Sequence, residues 1–151
     1  MAAVLVVAAL FVNYATLPAA AAPSIDELFH EFGLFGNWAA DCKQPATPAN
    51  PHVGIAMPSP GLVLEEHDLG ADFARNRYSV LSAERISATS LSVAVIFQPG
   101  AQAEERQTLV FLIRKATRRT MFNRPDGGAV RVKDGIALAR GSKTPVLRKC
   151  G

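Results

Sequence analysis

The chain has 151 residues and a mass of 16.1 kDa, a length that accommodates one globular domain and excludes a multidomain enzyme. Hydrophobic residues make up 49% and charged residues 19% of the sequence, a balance that excludes an intrinsically disordered chain. The formal net charge is +3, and the sequence contains two cysteines.

Residues 1–21 have the pattern of a secretory signal peptide. Ala2–Val12 is continuously apolar but too short to cross a bilayer, and the alanines that follow Pro18 supply the small residues that a signal peptidase requires. We therefore predict a signal peptide over 1–21, a single domain over 22–151, a periplasmic or secreted location and no membrane span after cleavage. Because no Lys or Arg precedes Lys43, a start further upstream or a retained N-terminal anchor is the alternative.

A short helix is predicted directly after this segment. Ser24 has the properties of an N-cap, Glu27 completes a capping box and Gly33 ends the helix. Four apolar residues fall at helical spacing and form a stripe that we expect to plug or cover another part of the fold; they are Ile25, Leu28, Phe29 and Phe32.

The rest of the chain favours short strands. A first strand is predicted over Gly36–Cys42, and the proline-rich stretch after it predicts a loop that contains a short edge strand, His52–Met57. Thr108–Ile113 is apolar on both faces, which indicates a central or doubly covered strand. Alternation places one set of large apolar residues on a single sheet face: Leu91, Val93, Val95 and Phe97.

Turn residues separate the remaining predicted strands, which are Thr120–Asn123, Ala129–Lys133, Ile136–Ala139 and Val146–Cys150. Eight to ten short strands at this spacing are typical of a small antiparallel β-barrel or a β-sandwich. We expect an all-β fold with a short N-terminal helix, and closure into a barrel would remove exposed strand edges.

Cys42 and Cys150 are the only possible intramolecular pair, and we predict a disulfide between them in an oxidising compartment. Closing so long a loop stabilises by up to ~4–5 kcal/mol in the chain-entropy model. A catalytic or metal-binding thiol is the alternative, although the sequence has no Cys-x-x-Cys motif and neither cysteine has a histidine beside it.

Gly36-Asn37-Trp38, which follows the predicted helix, resembles the Gly-x-Trp signature of lipocalins and the wider calycin group. The resemblance implies a barrel whose end is closed by Trp38, with an arginine from near the C-terminus, Arg140 or Arg148, stacked on the indole. A buried core aromatic is the plainer interpretation of Trp38. A longer stretch, from Trp38 to the C-terminal Pro145–Cys150, resembles an uncharacterised family of small exported alphaproteobacterial proteins and implies no activity.

Charge is unevenly distributed along the chain. Residues 23–72 contain eight acidic residues and one basic residue, whereas residues 106–149 contain twelve basic residues and two acidic ones. The basic residues can form a patch for an anionic envelope component, such as lipopolysaccharide or an anionic lipid, or they can protect strand edges and pair with the acidic half. The candidate anion-binding residues are Arg114, Lys115, Arg118, Arg119 and Arg131.

The densest titratable cluster is Glu65-Glu66-His67-Asp68, where a strand would place Glu65 and His67 on one face. A metal or acid–base site there would need further ligands, and a solvated hairpin end is the alternative. Because the sequence contains none of the common nucleophile, zinc or phosphate motifs, we predict no catalytic residue, no metal site, no cofactor and no nucleic-acid partner.

The function predicted from the sequence is that of an exported, non-enzymatic binding module that captures a small apolar or amphipathic ligand at the mouth of the barrel. The alternative is an interaction module that inhibits a secreted enzyme or docks on an anionic glycolipid.

Overall fold

A computed structural model describes residues 21–151; the predicted signal peptide lies, except for its last residue, outside them. The described part contains one helix and eleven strands. They are α1 (Ile25–Glu31), β1 (Gly36–Ala39), β2 (His52–Ser59), β3 (Leu62–Asp68), β4 (Asn76–Ser87), β5 (Ser90–Phe97), β6 (Glu105–Arg114), β7 (Thr117–Pro125), β8 (Val132–Lys133), β9 (Ile136–Ala137), β10 (Ser142–Lys143) and β11 (Leu147–Lys149).

Eight of the strands close into an antiparallel barrel. β1 to β7 each pair with their neighbours in chain order. β11 closes the circuit, because it pairs with β1 on one side and with β7 on the other. The short strands β8, β9 and β10 extend from β7 outside this closed circuit. The predicted all-β class is therefore confirmed, and the architecture is a barrel rather than a sandwich.

The two ends of the barrel differ. The tight turns β2–β3, β4–β5 and β6–β7 lie at one end of the barrel. α1 packs at the same end against β4, and its Glu31 forms an ion pair with Arg85 near the end of that strand. Ser24 caps α1, and the predicted capping box with Glu27 is present. Leu28 and Phe29 are each 1% exposed, which confirms that the apolar stripe plugs part of the fold. The longer connections β1–β2, β3–β4 and β5–β6 lie at the opposite end.

Alternation along the strands fills the barrel. Leu91, Val93 and Val95 are buried on β5 and point inward, as their spacing predicts. β6 pairs on both sides, as expected for Thr108–Ile113, and its inward residues Leu109, Phe111 and Ile113 are buried, while its outward residues are half-buried.

The prediction of an edge strand at His52–Met57 is wrong, because β2 pairs with both β1 and β3. Proline is tolerated there for a local reason. Pro51 precedes the strand, and Pro58 falls in a register shift between Ala56 and Ser59, where the ladder is interrupted and a missing N–H donor costs no pairing. The predicted C-terminal strand is present as β11, which lies between β7 and β1.

Candidate functional site

A buried ion pair crosses the barrel interior. Arg118 on β7 donates from Nη1 to Oε2 of Glu65 on β3 at 2.9 Å, and from Nη2 to Oε1 at 2.6 Å. The side chains are 2% and 7% exposed. Charge-assisted bidentate contacts of this kind are strong and directional, and each charge compensates the other in an interior that would hold neither alone.

Rings surround the ion pair. His67 Nε2 lies 2.5 Å from Glu65 Oε1, and the Arg118 guanidinium stands 4.4 Å from the centroid of the Phe111 ring. The ring of Tyr78 lies 5.0 Å from that of His67. His67 is the most open member of the cluster, since its side chain is 21% exposed.

The pKa shifts of Glu65 and Tyr78 keep each side chain in one protonation state at neutral pH. Burial raises the pKa of Glu65, but the charge of Arg118 and the hydrogen bonds from His67 and Arg118 outweigh it, so the net pKa lies below its ordinary value. Burial, reinforced by the negative charge of Glu65, raises the pKa of Tyr78. At neutral pH the interior therefore holds a carboxylate paired with Arg118, and a protonated phenol.

Side chains fill the space beside the ion pair. The void that Phe29, Val93 and Phe111 help to line measures about 10 Å³, about the size needed for one water molecule. The barrel is therefore not hollow, and the helix side chain Phe29 contributes to filling it.

A larger cavity of about 270 Å³ lies at the open end, where the loops before β2 and β11 approach β7. We call it the mouth cavity. It reaches the buried cluster, because its polar lining includes His67, Tyr78, Arg118 and Asn123. Its apolar lining is formed by Pro48, Pro51, Leu69, Leu109, Val132, Pro145 and Leu147.

A chain of hydrogen bonds leads from the surface to the mouth cavity. Arg131 donates to both oxygens of Glu105, at 2.5 and 3.0 Å. Gln107 donates from Nε2 to Glu105 Oε1 at 2.6 Å, and Asn123 donates from Nδ2 to Gln107 Oε1 at 2.8 Å. Asn123 Oδ1 is buried and has no hydrogen-bond partner within residues 21–151.

A second cavity, of about 220 Å³, lies beside the outward side chains of β3. Its charged groups are already paired, because Arg75 forms ion pairs with Glu66 and Asp68. Its large apolar lining residues are Trp38 and Val53, fewer than those of the mouth cavity.

Trp38 is 1% exposed and donates from Nε1 to the carbonyl of Leu34 at 2.8 Å. The cation over its ring is Lys149, whose Nζ lies 5.6 Å from the centroid and also donates to the carbonyl of Gly33. The expectation that Arg140 or Arg148 fills this position is therefore corrected.

Arg140 and Arg148 lie elsewhere for a topological reason. Arg140 follows β9, in the extension outside the barrel. Arg148 is exposed on β11, where alternation turns it away from the inward Leu147.

The five candidate anion-binding residues are not one patch. Arg118 points into the barrel, Arg131 pairs with Glu105, and Arg119 donates to Thr144 Oγ1 and to the carbonyl of Gly135. Only Arg114 and Lys115, at the β6–β7 turn, are exposed and form no ion pair within residues 21–151. The predicted set is corrected because alternation sends Arg118 and Arg119 to opposite faces of β7.

The interpretation of Glu65–Asp68 as a solvated hairpin end is wrong, since Glu65 is 6% exposed in the barrel interior. Glu65 and His67 do share one face, as the alternation predicts. The structure describes no group of three or more His, Cys, Asp or Glu side chains able to hold a metal ion in residues 21–151.

Sequence reasoning missed Tyr78, Gln107 and Asn123 as site residues, as well as the pairing of Arg118 with Glu65. The available signal was a polar residue at an inward position of an otherwise apolar strand: Gln107 occupies the position that precedes Leu109, Phe111 and Ile113 at period two.

The predicted disulfide is present. Cys42 and Cys150 are bonded across a sequence separation of 108 residues, and the backbone N–H of Cys150 donates to the carbonyl of Asn37. The bond therefore joins the end of β11 to the loop that follows β1.

The fold defines a small closed antiparallel barrel, with one end plugged by a helix and the other end holding a cavity above a buried ion pair. Comparison of the chain with protein-family models, with curated proteins and with solved structures finds no match. Within the described residues, no helix has the length and apolar character needed to cross a membrane.

Proposed function

We propose that this protein is a non-enzymatic binding module that captures a small amphipathic ligand in the mouth cavity. The observation that carries the proposal is the mouth cavity itself, in which an apolar wall faces the polar side chains of the buried cluster. Ligand pockets typically combine such a wall with a few fixed polar groups.

The dimensions suit a small molecule. The cavity volume of about 270 Å³ lies just below the ~300–1,000 Å³ typical of ligand pockets. The proposed ligand therefore places a short apolar segment against Leu69, Pro145 and Leu147 and directs its polar end toward the buried cluster.

A role without catalysis agrees with the chemistry of the cluster. Glu65 is held as a carboxylate by Arg118, and its pKa is lowered, so it is a poor proton donor at neutral pH. We propose that the ion pair forms the rigid floor of the binding site.

We also propose that residues 1–21 are a signal peptide and that the domain acts in the periplasm or outside the cell. The support is the disulfide, because such bonds persist in oxidising compartments. N-terminal sequencing of the exported protein tests this directly: a mature chain that begins at Ala22 agrees with the proposal, and an intact Met1 in exported material contradicts it.

The binding proposal is tested by native mass spectrometry of the exported protein. We expect a small molecule to co-purify with the natural chain and to be lost from Leu69→Trp, which fills the mouth cavity. The matched control is Leu62→Trp, because Leu62 is 38% exposed at the β2–β3 turn, at the opposite end of the barrel. Equal retention of the ligand by both variants would place binding elsewhere.

A second candidate is docking on an anionic envelope component. It is favoured by the exposed residues Arg114, Lys115 and Arg148, which β7 brings together, because Thr117 is the register partner of both Arg114 and Arg148. In this proposal the variant Arg114→Ser/Lys115→Ser loses salt-sensitive binding to lipopolysaccharide. Unchanged binding at low salt would exclude this surface.

A further inference from the structure

The outer wall of the barrel over β5, β6 and β7 carries basic side chains and no acidic ones. Register partners in an antiparallel sheet point to the same side, so pairing with β6 fixes which residues of the three strands face outward. They are Ser90, Ser92, Ala94 and Ile96 on β5, Arg106, Thr108, Val110, Leu112 and Arg114 on β6, and Thr117, Arg119, Phe122 and Arg124 on β7. We call this surface the β5–β7 wall.

The charges of the β5–β7 wall lie at both ends of the strands. Arg114 lies at the plugged end, where Lys115 of the β6–β7 turn follows it, and Arg106 and Arg124 lie at the open end. All four side chains are exposed, and none forms an ion pair in the part of the chain that the structure describes. Arg106 and Arg114 are eight residues apart on β6, which places them roughly 27 Å from each other.

The middle of the β5–β7 wall is apolar. Val110, Leu112, Phe122 and Ile96 are half-buried there, and among the described residues none of the four belongs to the core cluster or packs against it. Their apolar groups therefore lie on the outside of the barrel, between the two groups of basic residues. An outward apolar patch with a charged rim marks an interaction surface.

An anionic lipid bilayer complements both parts of this surface. Headgroup phosphates attract the basic side chains at the two ends, and the boundary between headgroups and acyl chains accepts the apolar side chains in the middle. A second copy of the chain does not fit the same surface. Pairing of two identical walls would place arginine against arginine, with no outward carboxylate to compensate.

We propose that the β5–β7 wall docks flat on an anionic phospholipid bilayer, with its arginines among the headgroups and its apolar middle at the headgroup–acyl boundary. This inference rests on the second candidate function, docking on an anionic envelope component, and names the lipid and the surface that contacts it.

The first test measures sedimentation of the disulfide-bonded protein with vesicles of equimolar phosphatidylglycerol and phosphatidylcholine. We expect binding to these vesicles and little binding to pure phosphatidylcholine. Arg106→Ser/Arg124→Ser should weaken binding about 25-fold, or about fivefold for each arginine. The matched control is Arg140→Ser/Lys143→Ser, which removes the same charge from exposed positions outside the barrel circuit and should weaken binding much less. Equal effects of the two variants would overturn the inference.

The second test detects the apolar contact. Leu112→Trp adds an indole to the middle of the β5–β7 wall, and its fluorescence should be quenched when the variant binds anionic vesicles that contain brominated phosphatidylcholine. Trp38 is 1% exposed in the barrel interior and supplies an unquenched background. Leu62→Trp is the control, because Leu62 lies at the β2–β3 turn on the far side of the barrel. Equal quenching in both variants, or none in Leu112→Trp, would overturn the proposed orientation.

Failure of this inference is distinguishable from failure of the docking function. If the protein binds neither lipopolysaccharide nor the anionic vesicles, both fail. If it binds lipopolysaccharide but not the vesicles, the docking function stands and the inference is overturned. Vesicle binding that is lost in Arg114→Ser/Lys115→Ser but unchanged in Arg106→Ser/Arg124→Ser would assign docking to the β6–β7 turn and overturn the inference as well.

Discussion

The buried ion pair makes the sharpest prediction about stability. Arg118→Met keeps much of the aliphatic volume of the side chain but leaves Glu65 as a carboxylate in the barrel interior, with His67 as its remaining hydrogen-bond partner among the side chains of residues 21–151. Removal of one partner from a buried pair costs about 3–5 kcal/mol. For a domain of this size we expect the melting temperature to fall by roughly 10–20 °C.

The assay is urea unfolding of the oxidised protein, followed through the fluorescence of Trp38, the single tryptophan in the sequence. Trp38 is 1% exposed and therefore reports global unfolding. Arg114→Met is the matched control, because Arg114 is exposed on the neighbouring strand, and it should change the unfolding free energy by no more than about 0.5 kcal/mol. The double variant Glu65→Leu/Arg118→Met removes both charges and should recover most of the loss.

The pH dependence supplies an independent check. In the natural protein the folded-state pKa of Glu65 is lowered, so its contribution is present above the unfolded pKa and is lost as the pH falls below it toward the folded value. In Arg118→Met, burial without the guanidinium raises the folded pKa, and protonation then favours the folded state. The two stability curves should therefore converge in acid. A loss below about 1 kcal/mol at neutral pH, or a deficit that grows in acid, would refute this reasoning.

Three further predictions concern the disulfide, the helix cap and a glycine that approaches a neighbouring backbone. The double variant Cys42→Ala/Cys150→Ala is expected to lose up to ~4–5 kcal/mol of unfolding free energy; a urea midpoint identical to that of the oxidised protein would contradict this. Ser24→Ala removes the helix cap and should cost about 0.5–2 kcal/mol, and calorimetry that shows no change would mean that the capping box is not formed in solution. Gly70→Ala should destabilise more than Gly61→Ala: both glycines have positive φ, but a Cβ at Gly70 would lie 2.8 Å from a backbone carbonyl, whereas one at Gly61 meets open space. Equal thermal shifts for the two variants would argue against that close approach.

The fold was largely predictable because its determinants are local. The period-two apolar pattern of Leu91, Val93 and Val95 defines an inward face whatever the strand pairs with, and the capping box of Ser24 involves only the first turn of the helix. Pairing was less predictable. The flanking prolines predict an edge strand at His52–Met57, and only the register shift near Pro58 shows how a central strand accommodates them.

The candidate site was less predictable than the fold, since its members come from distant strands. Alternation predicts that Glu65 and His67 share one face, but Arg118 lies 53 residues from Glu65 in sequence and looks like one more member of a basic run. Similarly, the cation over Trp38 is Lys149 rather than an arginine, because barrel register decides which side chain reaches the ring.

The all-β class, the inward faces of the strands, the capped helix and the identity of the only possible disulfide follow from local sequence, because each depends on residue spacing or on there being two cysteines. Barrel closure, the pairing of Arg118 with Glu65 and the mouth cavity become visible only in the folded structure. These features depend on which strands become neighbours and in which register. That choice is made by the combined burial and hydrogen bonding of the whole barrel, which no local pattern of residues encodes.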